Sequence, residues 1–315
     1  MLNTKQLIIN LIFTLIIIIA TEFIIFKIVE KDYQTTVQNE KLKYTNKMST
    51  YDEFYNDIFL KELIRPTENT KSELPPIILF GCSFAYGDNL NEKQTFSNKL
   101  SKITNSPIYN LSLGGWSVAN MLYQIENEQI LKQIKEPMYV IYVFVPVQLH
   151  RPFLHVYHPS DNKLSVHYDI KGSILKETKK PPFLYSLYTI KKVDNMIAMF
   201  KGYNKLYEKE RDKITKLYFK QSISNMKKNW KNTKFYIFNF ADYTENFLFE
   251  LEKETDWNLI NLSEIEKDEK IYMNTKYTIS EFDKHPNEKA WIYITKPFLK
   301  KIEEKASKQT PLVQG

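Results

Sequence analysis

Ser83 lies in a short segment whose residue types suit nucleophilic catalysis, Gly81-Cys82-Ser83, with a further glycine at Gly87. The apolar run before Gly81 is typical of a buried strand, so the serine follows directly on a strand end. Glycines on both sides permit a tight strand-to-helix turn that exposes the hydroxyl and directs its own N–H towards a cleft. The segment alone fits equally well a loop serine that caps the next helix.

A second group of reactive residues lies near the carboxyl end, Asp283-Lys284-His285-Pro286. Pro286 suits the first turn of a helix, which would place His285 at the helix entrance and Asp283 in the loop before it. A histidine held there can take a hydroxyl proton while a nearby carboxylate fixes its tautomer. The motif alone also fits an ordinary helix cap with a surface histidine and aspartate.

The elements that must position these residues follow from the hydrophobic pattern. From residue 75 onward, short apolar runs alternate with amphipathic stretches, which predicts a parallel sheet with crossover helices. In the first of these helices, "EKQTFSNKLSKI", we expect Phe96, Leu100 and Ile103 to face inward. Residues 148–230 interrupt the rhythm and are predicted to form an insertion or lid.

Taken together, three blocks of the sequence resemble the SGNH/GDSL hydrolase family. "ILFGCSFAYGDNL" resembles the block that carries the nucleophilic serine, "YNLSLGGWS" the block whose glycine falls on Gly115, and "DKHPNEKA" the last block. The resemblance covers roughly residues 75–305 and implies an α/β fold, a three-layer α/β/α flavodoxin-like sandwich with a parallel central sheet. It implies a carboxylic ester hydrolase with Ser83, Asp283 and His285 as catalytic residues, and no metal or other cofactor.

The sequence departs from the family pattern at the oxyanion hole, the set of donors that stabilises a developing negative oxygen. The family's third block supplies an asparagine after the third strand, whereas this chain reads "FVPVQLHRP". The backbone N–H groups of Ser83 and Gly115 would remain as donors, and Gln148 is the nearest side-chain amide that could replace the asparagine. Asp283 and His285 are also one residue closer in sequence than is common in the family.

Three histidines and an arginine after the predicted third strand are weaker indications of a functional site. His150, His155 and His158 have a spacing that a metal site could use, but no carboxylate or cysteine joins them before Asp161, so we expect no metal. His150 and Arg151 are predicted to contact substrate. Surface packing is the alternative for Arg151.

Residues 7–29 predict a membrane anchor. The segment carries only two charged side chains, Glu22 and Lys27, and as a helix it would span about 35 Å. A cleaved signal peptide and a buried soluble helix are the alternatives. We therefore expect an anchor in 1–30, a stalk in 31–74, the hydrolase domain in 75–305 and a flexible tail in 306–315. The hydrolase domain is expected on the extracytoplasmic side of the membrane, as the resemblance implies for anchored members.

Composition narrows the function classes. The net charge is +7, but acidic and basic residues are interleaved, which favours a solvated surface over nucleic-acid binding. The single cysteine, Cys82, excludes an intramolecular disulfide and a cysteine-built metal site, and we expect it to be a buried small residue. The chain has 7 glycines, and the segment between Gly81 and Gly115 holds four of them.

The resemblance and the anchor together predict an enzyme that removes O-acyl groups, with O-acetyl favoured, from an envelope glycan or a related ester. Two alternatives stay open. One is an O-acyltransferase that acts on a polysaccharide. The other is a glycan-binding or scaffold protein that keeps the fold with weakened catalysis, which the missing asparagine suggests.

Overall fold

The structure is a computed structural model of the chain, and it describes the following residues: 14, 72–126, 131, 134–149, 168–171, 174–177, 203–266 and 269–309. Apart from residue 14, the predicted anchor at 7–29 lies outside them, as do nearly all of the predicted stalk and most of the tail. Among the described residues, no helix combines the length and the apolar character needed to cross a membrane.

Five parallel strands form the central sheet, in the order β2-β1-β3-β6-β7. Two further strands, β4 and β5, form a separate antiparallel hairpin within the predicted insertion. The bounds are β1 Ile77–Gly81, β2 Ile108–Asn110, β3 Tyr139–Phe144, β4 Tyr168–Lys171, β5 Ile174–Glu177, β6 Lys234–Asn239 and β7 Trp257–Asn261. The central strands are continuous apolar runs because helices cover both of their faces.

The helices follow the strands in the alternation expected of crossover connections. Their bounds are α1 Ser83–Tyr86, α2 Phe96–Thr104, α3 Val118–Glu126, α4 Tyr203–Asn229, α5 Asn246–Glu254 and α6 Glu288–Gln309. Single 3₁₀ turns lie at Glu92–Gln94, Pro146–Leu149, Leu262–Glu264 and Thr275–Tyr277.

Two hydrophobic cores lie on opposite faces of the sheet. Alternate strand residues point to opposite sides, so Ile78 and Phe80 of β1 pack with α3, α4 and α5, whereas Ile77 and Leu79 pack with α2 and α6. The result is a three-layer α/β/α sandwich with a parallel central sheet. The predicted α/β architecture is therefore confirmed.

Two features differ from the sequence-based expectation. Ile103 is exposed, because α2 ends one residue later at Thr104 and Asn105 turns the chain in the left-handed conformation. The end of the range predicted as an insertion, residues 211–230, belongs to α4 and its last turn. Tyr218, Phe219 and Met226 there are fully buried against the sheet.

Candidate active site

Ser83 begins α1 at the point where β1 ends. Gly81 has a φ of 154°, and a Cβ atom added there would lie 2.8 Å from the Ala85 Cβ atom and 3.0 Å from the Val143 carbonyl oxygen. A larger residue therefore cannot occupy this turn without moving the backbone. Gly87 closes α1 with a φ of 80°. The glycines thus permit the sharp turn that the sequence predicts around the serine.

The backbone N–H groups of Ser83 and Gly115 are both available as donors. Gly115 has a φ of 84°, and neither N–H has a hydrogen-bond acceptor among the described residues. The turn that contains Gly115 also lies close to the loop after Ser83. A Cβ atom added at the neighbouring Gly114 would lie only 3.0 Å from an Asp88 carboxylate oxygen. Ser83 is buried whereas Gly115 is exposed to solvent, and two adjacent loops whose N–H groups have no acceptor can accommodate an anion.

Asn110, the last residue of β2, ties α1 to the sheet. Its side-chain amide is fully buried and donates to the Ala85 carbonyl oxygen at 2.9 Å, and its Oδ1 atom accepts from the Ser112 N–H at 3.2 Å. One side chain therefore fixes the helix that carries Ser83 relative to the segment that leads to Gly115.

Asp283 and His285 form a close pair. The His285 Nδ1 atom lies 2.5 Å from the Asp283 Oδ1 atom, and the His285 backbone N–H donates to the same oxygen at 3.0 Å. With Nδ1–H donating to the carboxylate, Nε2 is left as the acceptor, which is the tautomer that a general base needs. The side chains are 28% and 25% exposed, so solvent reaches both.

The loop around His285 is held by backbone pairing and by a helix cap. Thr278 and Pro286 form an isolated antiparallel bridge, and the Ile279 N–H donates to the His285 carbonyl oxygen at 2.9 Å. Asn287 caps α6 by accepting from the Ala290 N–H at 3.2 Å. Pro286 therefore precedes the helix rather than lying in its first turn, and His285 is still presented at the helix entrance as predicted.

The pKa of the Asp283 carboxyl lies below its ordinary value. Partial burial works in the opposite direction, because it disfavours the charged form. The backbone and ring hydrogen bonds from His285, together with one from the Asn89 side chain, outweigh that effect. Asp283 is therefore ionised at neutral pH, as an acceptor that orients His285 must be.

An aromatic contact brings His285 to the loop of Ser83. The ring of Phe84, the residue after Ser83, lies with its centroid 5.0 Å from that of His285 and 5.8 Å from that of Phe240. No hydrogen bond joins the Ser83 hydroxyl to His285 in this structure, and Ser83 is only 7% exposed. Hydrogen bonds between catalytic groups are often long before substrate binds.

The side-chain amide of Gln148 forms hydrogen bonds within the turn after β3. The residue is 2% exposed, its Oε1 atom accepts from the Val145 N–H at 3.0 Å, and its Nε2 atom donates to the Val143 carbonyl oxygen at 3.3 Å. These bonds close the turn after β3 and use one of the two Nε2 hydrogens. The part of Gln148 in an oxyanion hole stays a prediction.

His150 and Arg151 lie outside the described residues. Within the part of the chain that is described, no group of three or more histidine, cysteine, aspartate or glutamate side chains could hold a metal ion. Cys82 is a free, fully buried thiol.

Sequence reasoning missed Asn89, whose side chain reaches Asp283. The signal available in the sequence was its place in the block that follows Ser83, together with the tolerance of asparagine for left-handed turns.

No protein-family model matches the sequence, and the comparison with curated proteins found no match. Among solved structures, the chain is similar to an inhibited psychrotrophic esterase from Pseudoalteromonas sp., at 13% identity, 74% of this chain, 100% of that chain and a TM-score of 0.41. It is also similar to an acetyl xylan esterase from Butyrivibrio proteoclasticus, at 10% identity, 74% of this chain, 64% of that chain and a TM-score of 0.42. A lipase from a goat rumen metagenome matches at 9% identity, 72% of this chain, 97% of that chain and a TM-score of 0.44. At these sequence identities and TM-scores, the activities of those proteins are not assigned to this chain.

Proposed function

We propose that this chain is a serine ester hydrolase of the SGNH type, with Ser83 as nucleophile, His285 as general base and acid, and Asp283 as the residue that orients His285. The observation that carries the proposal is the 2.5 Å contact between Asp283 and His285, beside the loop that bears Ser83. Two segments far apart in sequence, one with Ser83 and one with Asp283 and His285, contact each other through Phe84 and Asn89, and each carries the chemistry that its role requires.

The proposed reaction is acyl transfer through a covalent intermediate. His285 Nε2 takes the hydroxyl proton as Ser83 Oγ forms a bond to the ester carbonyl carbon, and it returns that proton to the departing alcohol oxygen. Water then attacks the acylated Ser83, His285 takes a proton from that water, and the same proton restores the Ser83 hydroxyl as the acid leaves. No redox partner or metal is required for this sequence of bonds.

Two backbone donors support the developing oxyanion in this proposal, the N–H groups of Ser83 and Gly115. Loss of one oxyanion donor reduces the rate of other serine hydrolases by about 10²–10³-fold. Because the chain lacks the asparagine of the family pattern, we expect hydrolysis to be slow for an enzyme of this type unless Gln148 or the substrate supplies a further donor.

The proposed substrate is an O-acyl group, with O-acetyl favoured, on an envelope glycan or a related ester. The membrane anchor in residues 7–29 and the extracytoplasmic position of the hydrolase domain belong to the same proposal. These features follow from the family resemblance of the three sequence blocks and from the apolar amino-terminal segment.

The test uses the full chain in detergent with a chromogenic acetate ester. We expect Ser83→Ala to reduce kcat/KM by at least about 10⁴-fold. We expect Ser307→Ala, which removes an exposed hydroxyl on α6, to match the parent chain. Hydrolysis by Ser83→Ala at the parental rate would overturn the assignment.

A fluorophosphonate probe tests the catalytic proposal against a binding protein with the same fold. The proposal expects covalent labelling of the parent and of Ser307→Ala, and none of Ser83→Ala. A folded parent chain that neither labels nor hydrolyses the ester would favour a glycan-binding or scaffold role, to which the missing asparagine points. If added glycan accepts the acyl group faster than water does, the chain is an O-acyltransferase that uses the same three residues.

A further inference from the structure

The Asp283 carboxylate has a second partner besides His285. The Asn89 side-chain Nδ2 atom donates to the Asp283 Oδ2 atom at 2.7 Å, whereas His285 engages Oδ1. Each carboxylate oxygen therefore has its own donor. Such a carboxylate cannot rotate about its terminal bond without breaking a charge-assisted hydrogen bond, and these are stronger than hydrogen bonds between neutral groups.

The backbone holds the Asn89 amide in place for this contact. Asn89 has a φ of 62°, in the left-handed region that asparagine adopts more readily than most residues. The turn around it is closed by a hydrogen bond from the Leu90 N–H to the Gly87 carbonyl oxygen at 3.2 Å, and Leu90 is buried in the core. Asn89 is thus the outward-facing residue of a turn that is fixed at both ends.

A second contact joins the same two chain segments five residues further along. The Gln94 Nε2 atom donates to the Glu288 Oε2 atom at 3.2 Å, and the Lys99 Nζ atom lies 2.6 Å from Glu288 Oε1. The segment after Ser83 and the segment around His285 therefore lie side by side. Of these hydrogen bonds, the one from Asn89 is made to a proposed catalytic residue itself.

We propose that Asn89 is a positioning residue, which holds the Asp283 carboxylate so that Oδ1 faces His285 Nδ1. The inference rests on the proposed function, because it assigns Asn89 an effect on the proposed general base. Asn89 contacts neither substrate nor reacting atoms in this assignment. It acts by coupling the loop of the nucleophile to the loop of the acid and base.

The test compares Asn89→Gly with Asn105→Gly. Asn105 is a matched control because it also has a positive φ, 55°, and lies at the end of α2. Glycine keeps the left-handed backbone at both positions, so only the side chain is lost. We expect Asn89→Gly to lower kcat for a small acetate ester by about 10–100-fold with KM nearly unchanged. Asn105→Gly should retain the parental kcat.

A readout that does not depend on turnover is the deshielded Nδ1 proton of His285, observed by NMR in the chain labelled with ¹⁵N-histidine. Asp283→Asn identifies this resonance by changing or removing it. We expect Asn89→Gly to shift the resonance and to speed exchange of its proton with solvent, whereas Asn105→Gly should leave it unchanged. This difference is expected even if the chain proves not to hydrolyse esters, so failure of the proposed function and failure of this inference are distinguishable.

An Asn89→Gly chain with the parental resonance would overturn the inference, whatever its activity. Equal losses of kcat in the two glycine variants would also overturn it, because the effect would then belong to backbone flexibility rather than to the Asn89 amide.

Discussion

The Asp283 carboxylate accepts three hydrogen bonds although solvent reaches it. Two come from the backbone and the ring of His285, and the third comes from Asn89. Each bond stabilises the ionised carboxylate, and together they hold its pKa below the ordinary value against the opposing effect of partial burial. The carboxylate that orients His285 is thereby also a pH-dependent contributor to stability.

We expect the stability cost of Asp283→Asn to depend on pH. A carboxyl whose pKa is depressed on folding stabilises the native state above its unfolded pKa of about 3.9, and this contribution is lost as the pH falls through the lower folded value. The deficit of Asp283→Asn in the free energy of unfolding should thus be largest near neutral pH and should shrink towards pH 3. Urea unfolding at pH 7, 5 and 3 measures it.

Asp256→Asn is the control for this experiment, because Asp256 is an exposed carboxylate that pairs with Lys227 away from the site. Its effect on unfolding should be small at each pH. A deficit of Asp283→Asn that stayed constant, or grew, on acidification would contradict the assignment of three stabilising hydrogen bonds to the charged form.

The contact between Asp283 and His285 could be predicted from the sequence, because the two residues are two positions apart in a loop. Other contacts of the candidate site could not. The engagement of Gln148 could not be predicted, because it depends on the 3₁₀ turn at Pro146–Leu149 that folds its amide back onto β3. The contact between Asn89 and Asp283 could not be predicted either, because these residues are 194 positions apart in the sequence.

At the scale of the elements, the central strands were predictable because burial on both faces leaves continuous apolar runs. Their order was not predictable from those runs, because every central strand has the same apolar character. In the order β2-β1-β3, the helix α2 that follows β1 and the helix α3 that precedes β3 lie on opposite faces of the sheet, so the connections diverge at the end of β1. Clefts form at that position in open parallel sheets, and Ser83 lies there.

Helix α4 shows why a polar pattern can hide a core element. It spans 27 residues and is mostly charged or polar, which led to its interpretation as part of an insertion. Between residues 211 and 229 its buried residues form a narrow stripe at helical spacing: Arg211, Thr215, Tyr218, Phe219, Ser222, Ile223 and Met226. A stripe of this width is enough to pack α4 on one face of the sheet together with α3 and α5.

Phe219 tests the place of α4 in the core. Its ring lies with its centroid 5.0 Å from that of Tyr142 on β3 and 5.6 Å from that of Trp257 on β7. We expect Phe219→Ala to lower the free energy of unfolding by about 3–5 kcal/mol, because it removes a fully buried ring and leaves a cavity. Denaturant unfolding followed by circular dichroism measures the loss.

Phe249→Ala is the matched control, since Phe249 lies on the neighbouring helix α5 with 44% of its surface exposed. Its loss should change the free energy of unfolding by less than about 1 kcal/mol. Similar losses in both variants would mean that α4 does not contribute to the folded core.

At the scale of the whole molecule, the described residues form a sandwich with its proposed site at one edge of the sheet, and the predicted anchor precedes it in the chain. The described part contains no helix that could span a bilayer, so membrane attachment depends in this proposal on residues 7–29. Glu22 shortens the fully apolar part of that segment, which makes insertion sensitive to a further charge.

We therefore expect Ile18→Arg to release a large fraction of the full chain from membranes, whereas Ile18→Leu should leave it attached. An arginine at the centre of a spanning helix opposes insertion by about 3 kcal/mol, and leucine is as favourable there as isoleucine. The fraction that resists alkaline extraction of membranes measures the effect, and hydrolysis of a soluble acetate ester should persist in both variants.

Alkaline phosphatase fused after Gly315 reports on which side of the membrane the hydrolase domain lies. We expect the fusion to be active, because the domain is proposed to face the extracytoplasmic side. Full release of the parent chain by alkaline extraction, or a mature chain shortened after Ala20, would contradict the anchor, because a cleaved signal peptide retains nothing in the bilayer.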